Sequence, residues 1–210
     1  MTLRTVAIAA AVGLSALIGG TAAYVFLGSG PDNQFAQCLG STVAGGADTI
    51  GGPFTLVNGE GVTVTDTDVI TEPSLLYFGY TFCPDVCPLD NLRNAEATVL
   101  LEEQGLIATP IFISIDPARD TPAVVSEFAM NFHDRMVGLT GSEEQVRAVA
   151  QTYKTYYNPQ GTLEDDPYYL VDHMTFTYFV MPQYGFVDFF RRDDSPKAVA
   201  ERVACVINAA

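Results

Sequence analysis

The chain has 210 residues, the length of about one ordinary domain. At 48% hydrophobic and 17% charged, with positive mean hydropathy, it is too apolar for an intrinsically disordered chain. Ten Lys and Arg stand against 25 Asp and Glu, a formal charge of −15, and of all these only Arg4 precedes residue 30. The acidic remainder makes a poor surface for nucleic-acid phosphates and suits a cationic partner or a metal ion. Four cysteines are too few for a disulfide mini-scaffold, and a body of this size does not need one.

Val6 to Leu27 is an uncharged run of 22 residues. As a helix rising ~1.5 Å per residue it covers ~33 Å, enough for a hydrocarbon core of ~30 Å. Arg4 before the span predicts a cytoplasmic amino terminus and an exported body. A cleaved signal peptide is the competing reading, with Thr21-Ala22-Ala23 as its site, but the apolar run continues through Tyr24 to Leu27. The expected organisation is therefore a cytoplasmic tip and transmembrane anchor at 1–27, a Gly/Ala/Ser/Thr-rich tether at 28–52 and a folded domain at 53–210.

Within the domain, Phe54–Val57 and Val62–Val64 flank Asn58-Gly59-Glu60-Gly61 and read as a hairpin. Ser74–Tyr80 is a buried strand, Leu89–Gln104 a helix stopped by Gly105, and Pro110–Ile115 a second buried strand, together a βαβ unit. Thr121-Pro122 starts a helix that runs to about His133. Ser142 with Gln145 forms a capping box for a helix ending near Tyr153. Tyr156–Val171 reads as an irregular, acidic, tyrosine-rich insert. Met174–Met181 and Gly185–Phe190 form a hairpin, and Ser195-Pro196 opens the last helix. This order predicts an α/β fold, a thioredoxin-like sandwich with an extra N-terminal hairpin and an insert, preceded by the transmembrane helix.

The chemistry concentrates in Cys83-Pro84-Asp85-Val86-Cys87-Pro88, directly after a central strand and before a helix. Ligands collect at the carboxyl ends of such strands, and a helix N-terminus stabilises a thiolate. Cysteines at i and i+4 on a helical turn hold their Cβ atoms ~5–6 Å apart, which suits two thiolates on one ion better than a relaxed disulfide. Disulfide closure stays open if the turn unwinds, and the plain structural reading is a pair of buried core cysteines. No Lys or Arg lies between Thr81 and Leu92, so a cation is the natural counter-charge. The chain has two histidines. His173 enters an apolar strand from the insert, where a satisfied core histidine is the plain reading and a third donor the alternative, while His133 reads as a helix-terminal residue favoured by the macrodipole.

Tyr80-Thr81-Phe82-Cys83-Pro84-Asp85-Val86-Cys87-Pro88, Ser114-Ile115-Asp116-Pro117-Ala118-Arg119-Asp120-Thr121-Pro122, Val137-Gly138-Leu139-Thr140-Gly141 and Val171-Asp172-His173 together resemble the SCO/SenC family. The resemblance covers about Gly51 to the carboxyl terminus. It implies a membrane-anchored, thioredoxin-like copper chaperone for cytochrome c oxidase assembly, with Cys83, Cys87 and His173 as the metal ligands and Asp116–Pro122 as a supporting loop. Two soft thiolates and an imidazole suit trigonal Cu(I), and Cu(II) once water or a carboxylate completes the shell. Structural zinc asks for a fourth protein ligand, and none is evident. Met174 and Met181 are expected to pack in the core, Asp172 to point away from the metal, and Glu164-Asp165-Asp166 to be solvated.

Two functions compete. The first is delivery of copper to the CuA centre of cytochrome c oxidase subunit II from the periplasmic side of the inner membrane, alongside other copper carriers or thiol reductants. The second is an exported thiol–disulfide oxidoreductase using Cys83 and Cys87 as its redox pair. A peroxiredoxin-like peroxidase is weaker, because the arginine partner and sequence context of a peroxidatic cysteine are not visible. Cys38 and Cys205 stand outside the family's pattern. Both fall in the exported part, where disulfides persist, and a bridge between them is expected, two free thiols being the alternative.

Overall fold

In the computed structural model the described residues are Gly19, 34–43 and 46–210. The expected hairpin forms, with β1 at Thr55–Asn58 and β2 at Thr63–Thr65. Asn58 shapes the turn, its side-chain oxygen accepting the backbone N–H of Glu60 at 3.0 Å and of Val62 at 2.9 Å. A short helix not among the expected elements, α1 (Asp66–Val69), follows at once. The Asp68 carboxylate starts it by accepting the Thr65 backbone N–H at 2.8 Å.

β3 (Ser74–Gly79) is buried at every residue, as a central strand covered on both faces must be. α2 (Val86–Glu102) then crosses to β4 (Thr109–Ser114), which pairs with β3 in parallel. Gly105 ends α2 as expected, with φ +73°, a conformation that costs glycine nothing. α3 (Pro122–Met130) leads to β5 (Val137–Thr140), parallel to β4, and α4 (Glu143–Thr152) follows. The caps at Thr121, Ser142 and Ser195 all form as the sequence predicts, the last opening α5 (Pro196–Ala209).

Two expectations about the insert and its exit change. The stretch expected to be irregular contains a strand, β6 (Tyr157–Pro159), which pairs antiparallel with β7 (Val171–His173) as a separate two-stranded ribbon. The strand expected from Met174 begins only at Thr177 (β8, Thr177–Met181) before turning into β9 (Gly185–Phe190). Pairing with β3 sets that start, since Tyr77 lies opposite Thr177. β5 carries no strand signal of its own, because four residues with a glycine inside show no alternation, and only pairing to β4 makes them a strand.

The seven-stranded sheet runs β2-β1-β5-β4-β3-β8-β9, parallel in the middle and antiparallel on both flanks. Alternation divides its faces. Tyr77 turns to α2, where its hydroxyl meets Asp90, and Phe112 on the same face stacks on Phe128 of α3 with ring centroids 4.6 Å apart. Phe78 turns to the other face and packs on Tyr153, just past α4, and on Tyr178. Helices therefore cover both faces, the arrangement of an α/β sandwich.

Gln37–Ala210 is one compact unit, so the expected tether is docked from Gln37 onward. Cys38 and Cys205 form the expected disulfide, with Cα atoms 5.5 Å apart. Asp188 of β9 accepts the Gly40 backbone N–H at 3.1 Å and binds the Ser41 hydroxyl and Arg202 of α5. The expected membrane anchor, 6–27, lies outside the described residues apart from Gly19. No helix among the described residues is long and apolar enough to cross a membrane.

Candidate metal centre

β3 ends at Gly79, and the chain turns with the Cys83 backbone N–H donating to the Tyr80 carbonyl at 3.2 Å. α2 starts at Val86, three residues ahead of the expected Leu89, and takes Cys87 into its first turn. The reason lies in Cys83. Asp85 occupies the N-cap position without a side-chain cap bond, and the Cys83 Sγ instead accepts the Cys87 backbone N–H at 3.3 Å. Pro88 costs nothing there, because the first turn has no use for its missing N–H. The Cys83 sulfur thus begins α2.

Both cysteines are free and buried, Cys83 at 7% exposure and Cys87 at zero. Space for the Cys87 sulfur exists because residue 79 is glycine: a Cβ there would stand 2.8 Å from it and 2.8 Å from the Tyr77 ring. His173, at the end of β7, brings its Nε2 to 3.4 Å from the Cys87 Sγ. Its Nδ1 lies 2.8 Å from the Met174 carbonyl oxygen. A carbonyl only accepts, so Nδ1 carries the proton and Nε2 is left with a free lone pair toward the sulfurs. The three donor atoms lie within 4.8 Å of one another. The rings of Tyr77 and Tyr80 meet the imidazole edge-on, with centroids 6.3 and 5.8 Å away.

The two thiols are unequal. The hydrogen bond from Cys87 holds the Cys83 thiol below the ordinary value, aided by the Cys87 and Asp85 backbone, against the opposing effect of burial. Burial pushes the Cys87 thiol up, and the neighbouring Cys83 charge adds to it. The hydrogen bond from Cys87 therefore makes Cys83 the readily ionised sulfur, while burial and the Cys83 charge keep Cys87 protonated as its hydrogen-bond donor.

A polar layer behind Cys87 was not foreseen. Tyr77 donates to Asp90 at 3.0 Å, Asp90 pairs with Arg93 at 3.2 Å, and Arg93 and Asn94 both reach Thr177 of β8, at 2.7 and 3.0 Å. The sequence shows only a polar run, Asp90-Asn91 and Arg93-Asn94, at the start of the helix, and the structure buries all four. Their mutual satisfaction fixes α2 against the sheet.

The other residues singled out from the sequence fall into place around this core. Asp120 does support the site, accepting the Thr81 backbone N–H at 3.0 Å, its hydroxyl at 2.5 Å and the Ser114 hydroxyl at 2.6 Å. Asp172 turns away, exposed and accepting from Gln160 at 2.9 Å. Glu164, Asp165 and Asp166 are exposed as expected. His133 stands outside the cluster, its Nε2 facing Glu102 at 3.6 Å. Met181 is buried, but Met174 is 39% exposed. Its expected place in the core assumed a strand through residue 174, and the chain there is a connection between β7 and β8.

Two thiol sulfurs and one imidazole nitrogen are a soft donor set that fits copper, and no fourth His, Cys, Asp or Glu joins them among the described residues. The comparisons agree with that chemistry. The chain is similar to the protein SenC of Rhodobacter capsulatus, 48% identical over 209 residues that cover 98% of this chain and 91% of the relative. It is 37% identical to the human mitochondrial SCO1 homolog over 161 residues, 76% of this chain and 53% of that one. The copper-bound structure of Arabidopsis thaliana ScoI matches with a TM-score of 0.69 at 37% identity, over 76% of this chain and 99% of that one. Copper-bound yeast Sco1 matches at 0.68 and 34%, over 77% and 90%. The SCO1/SenC family profile spans residues 42–208, which include all three donors and the loops that hold them, and the chain is accordingly a member of the SCO1/SenC family.

Proposed function

We propose that this protein is a membrane-anchored copper chaperone that carries its cargo on Cys83, Cys87 and His173 and delivers it to the CuA centre of cytochrome c oxidase subunit II. The observation that carries the reading is the convergence of two free sulfurs and an imidazole Nε2 within 4.8 Å, with the imidazole tautomer set by the Met174 carbonyl. Relatives of the same family hold copper in their structures. Copper enters as a substrate here: bound as Cu(I) by three soft-to-intermediate donors, it passes by ligand exchange to an acceptor that presents thiolates of its own. Cu(II) is also within reach if water or a carboxylate adds to the three donors.

The uncharged run from Val6 to Leu27 behind Arg4 supports a single span with the domain on the periplasmic side of the inner membrane. The Cys38–Cys205 disulfide supports the same side, since such bridges persist in oxidising compartments. A phosphatase fused after Ala210 is expected to be active, and a cytoplasmic reporter active there instead overturns the topology.

A second reading, an exported thiol–disulfide oxidoreductase, is favoured by the unequal thiols: a thiolate at Cys83 to attack and a thiol at Cys87 to resolve. His173→Ala separates the two. It removes one copper donor in three and leaves the dithiol intact, so copper retention is expected to fall sharply, most of all for Cu(II), while dithiol redox activity largely persists. If CuA still fills normally at limiting copper in cells carrying His173→Ala, delivery is wrong and dithiol reduction is the main function.

A further inference from the structure

His173 reaches the two cysteines from the insert, a long excursion outside the main sheet. The ribbon β6–β7 that carries it shares no strand pairing with the seven-stranded sheet. Something other than sheet hydrogen bonds must therefore hold the insert against the Cys83–Cys87 turn. Buried packing of Tyr169 and Val171 gives part of that hold, and the Asp116–Asp120 loop supplies a polar part through Arg119, whose side chain is 11% exposed.

The Arg119 guanidinium is a hub for three segments. On its own loop, Nε binds the Asp116 carboxylate at 2.5 Å. In the insert, Nη1 donates to the Pro167 carbonyl at 3.3 Å and the guanidinium lies 3.7 Å from the centroid of the Tyr169 ring. The Tyr169 hydroxyl closes the ring of contacts by donating to the other Asp116 oxygen at 2.5 Å. On the cysteine turn, the same guanidinium faces Phe82 at 4.8 Å and Tyr80 at 5.6 Å, and Phe82 also meets Tyr168 of the insert. Phe82 precedes Cys83, Tyr80 touches the imidazole of His173, and Tyr169 lies two residues before β7. A planar cation that stacks on rings and donates along its edge meets all these demands at once, and a lysine ammonium does not.

We propose that Arg119 is a positioning residue for the metal site: its guanidinium fastens the insert, and with it β7 and His173, to the turn that bears Cys83 and Cys87. The assignment rests on the copper reading for its purpose, but its structural content is measurable without metal. Neither the fold's main sheet nor the two sulfurs depend on it, because α2 and Asp120 hold the cysteine turn independently.

Arg119→Lys keeps the charge and loses the fork and the flat stacking face. In the reduced apoprotein, amide hydrogen exchange at Val171–His173 and at Met174, whose N–H donates to the Tyr156 carbonyl, is expected to quicken at least about tenfold, with α2 unchanged. The Cu(I) dissociation constant is expected to rise by about 10- to 100-fold, the usual cost of losing a group that orients a ligand. The nitrogen signature of the Cu(II) complex is expected to weaken while both thiols still titrate. Val203→Ala, a truncation of a fully buried residue in α5, is the control for general destabilisation. The assignment is overturned if exchange in β7 is unchanged, if Val203→Ala raises it equally, or if Arg119→Lys binds copper like the parent. If the parent binds no copper yet exchange in β7 responds as stated, the copper reading fails and the fastening of His173 stands. Should Arg119→Lys fail to fold, Tyr169→Phe removes only the bond to Asp116 and carries the same test with a smaller expected change.

Discussion

The chain holds two cysteine pairs, and their surroundings give them opposite chemistry. Cys38 and Cys205 are 167 residues apart in sequence, on the docked strap and on α5, and meet with Cα atoms 5.5 Å apart, inside the range a disulfide prefers. Cys83 and Cys87 are four residues apart and remain free. The local backbone is what keeps them open: the Cys83 sulfur is engaged as the cap of α2, and Cys87 is held inside that helix's first turn. One pair ties a strap to the fold, and the other leaves two sulfurs aimed, with an imidazole, at a shared centre. Sequence distance between cysteines is thus a poor guide to bridging, and local backbone constraint is a good one.

The largest expected effect tests the open pair. Cys83→Ser or Cys87→Ser replaces a soft donor with a hydroxyl and is expected to abolish both Cu(I) retention and dithiol redox activity, checked by copper stoichiometry and thiol titration. A variant that still holds one equivalent against a competing chelator would refute the ligand set.

Removing the bridged pair acts on stability instead. Closing a loop of this length contributes up to ~5 kcal/mol in the chain-entropy picture. Cys38→Ser with Cys205→Ser is therefore expected to lower denaturant stability by several kcal/mol while copper affinity stays at the parent value. The contribution is smaller to the degree that Asp188 and Arg202 already hold the strap. Equal stability with and without the bridge, or a parallel fall in copper affinity, breaks the comparison.

Gly79→Ala probes what lies behind the open pair. The added methyl would stand 2.8 Å from the Cys87 sulfur, so overpacking of about 1–3 kcal/mol is expected together with weaker copper binding. Chemical unfolding and a Cu(I) competition titration read the two effects side by side. A stable variant with unchanged copper affinity shows that the sulfur has room to move.

The smallest effect is one of rate. The Cys83 thiol is held below the ordinary value, so as pH rises its thiolate forms before that of an unfolded cysteine. Alkylation of Cys83 in the reduced apoprotein is expected to reach its plateau below the pH at which an unfolded cysteine does, with Cys87 lagging because burial pushes its thiol up. Equal rates, or a Cys83 profile that matches the denatured chain, remove the inequality on which the oxidoreductase reading depends.

Much of this protein is legible in its amino-acid sequence. The Cys83–Cys87 spacing, the βαβ unit around it and the caps at Thr121, Ser142 and Ser195 follow from local signals, namely spacing, hydrophobic runs and side chains that bond backbone within a few residues, whereas His173 as third donor came from the resemblance to the SCO/SenC family. Such signals survive in one dimension because their partners are near in sequence. Tertiary structure decided the rest. β5 is a strand only because β4 lies beside it, and β6 and β7 exist only as a pair. The start of α2 at Val86 was set by a sulfur acting as a cap, and the exposure of Met174 by where β8 finds its register on β3. Arg119 shows the same limit most plainly. Its residue type was readable, but its contacts with Pro167, Tyr169 and Phe82 arise only when distant loops close on one point, and no local pattern encodes that closure.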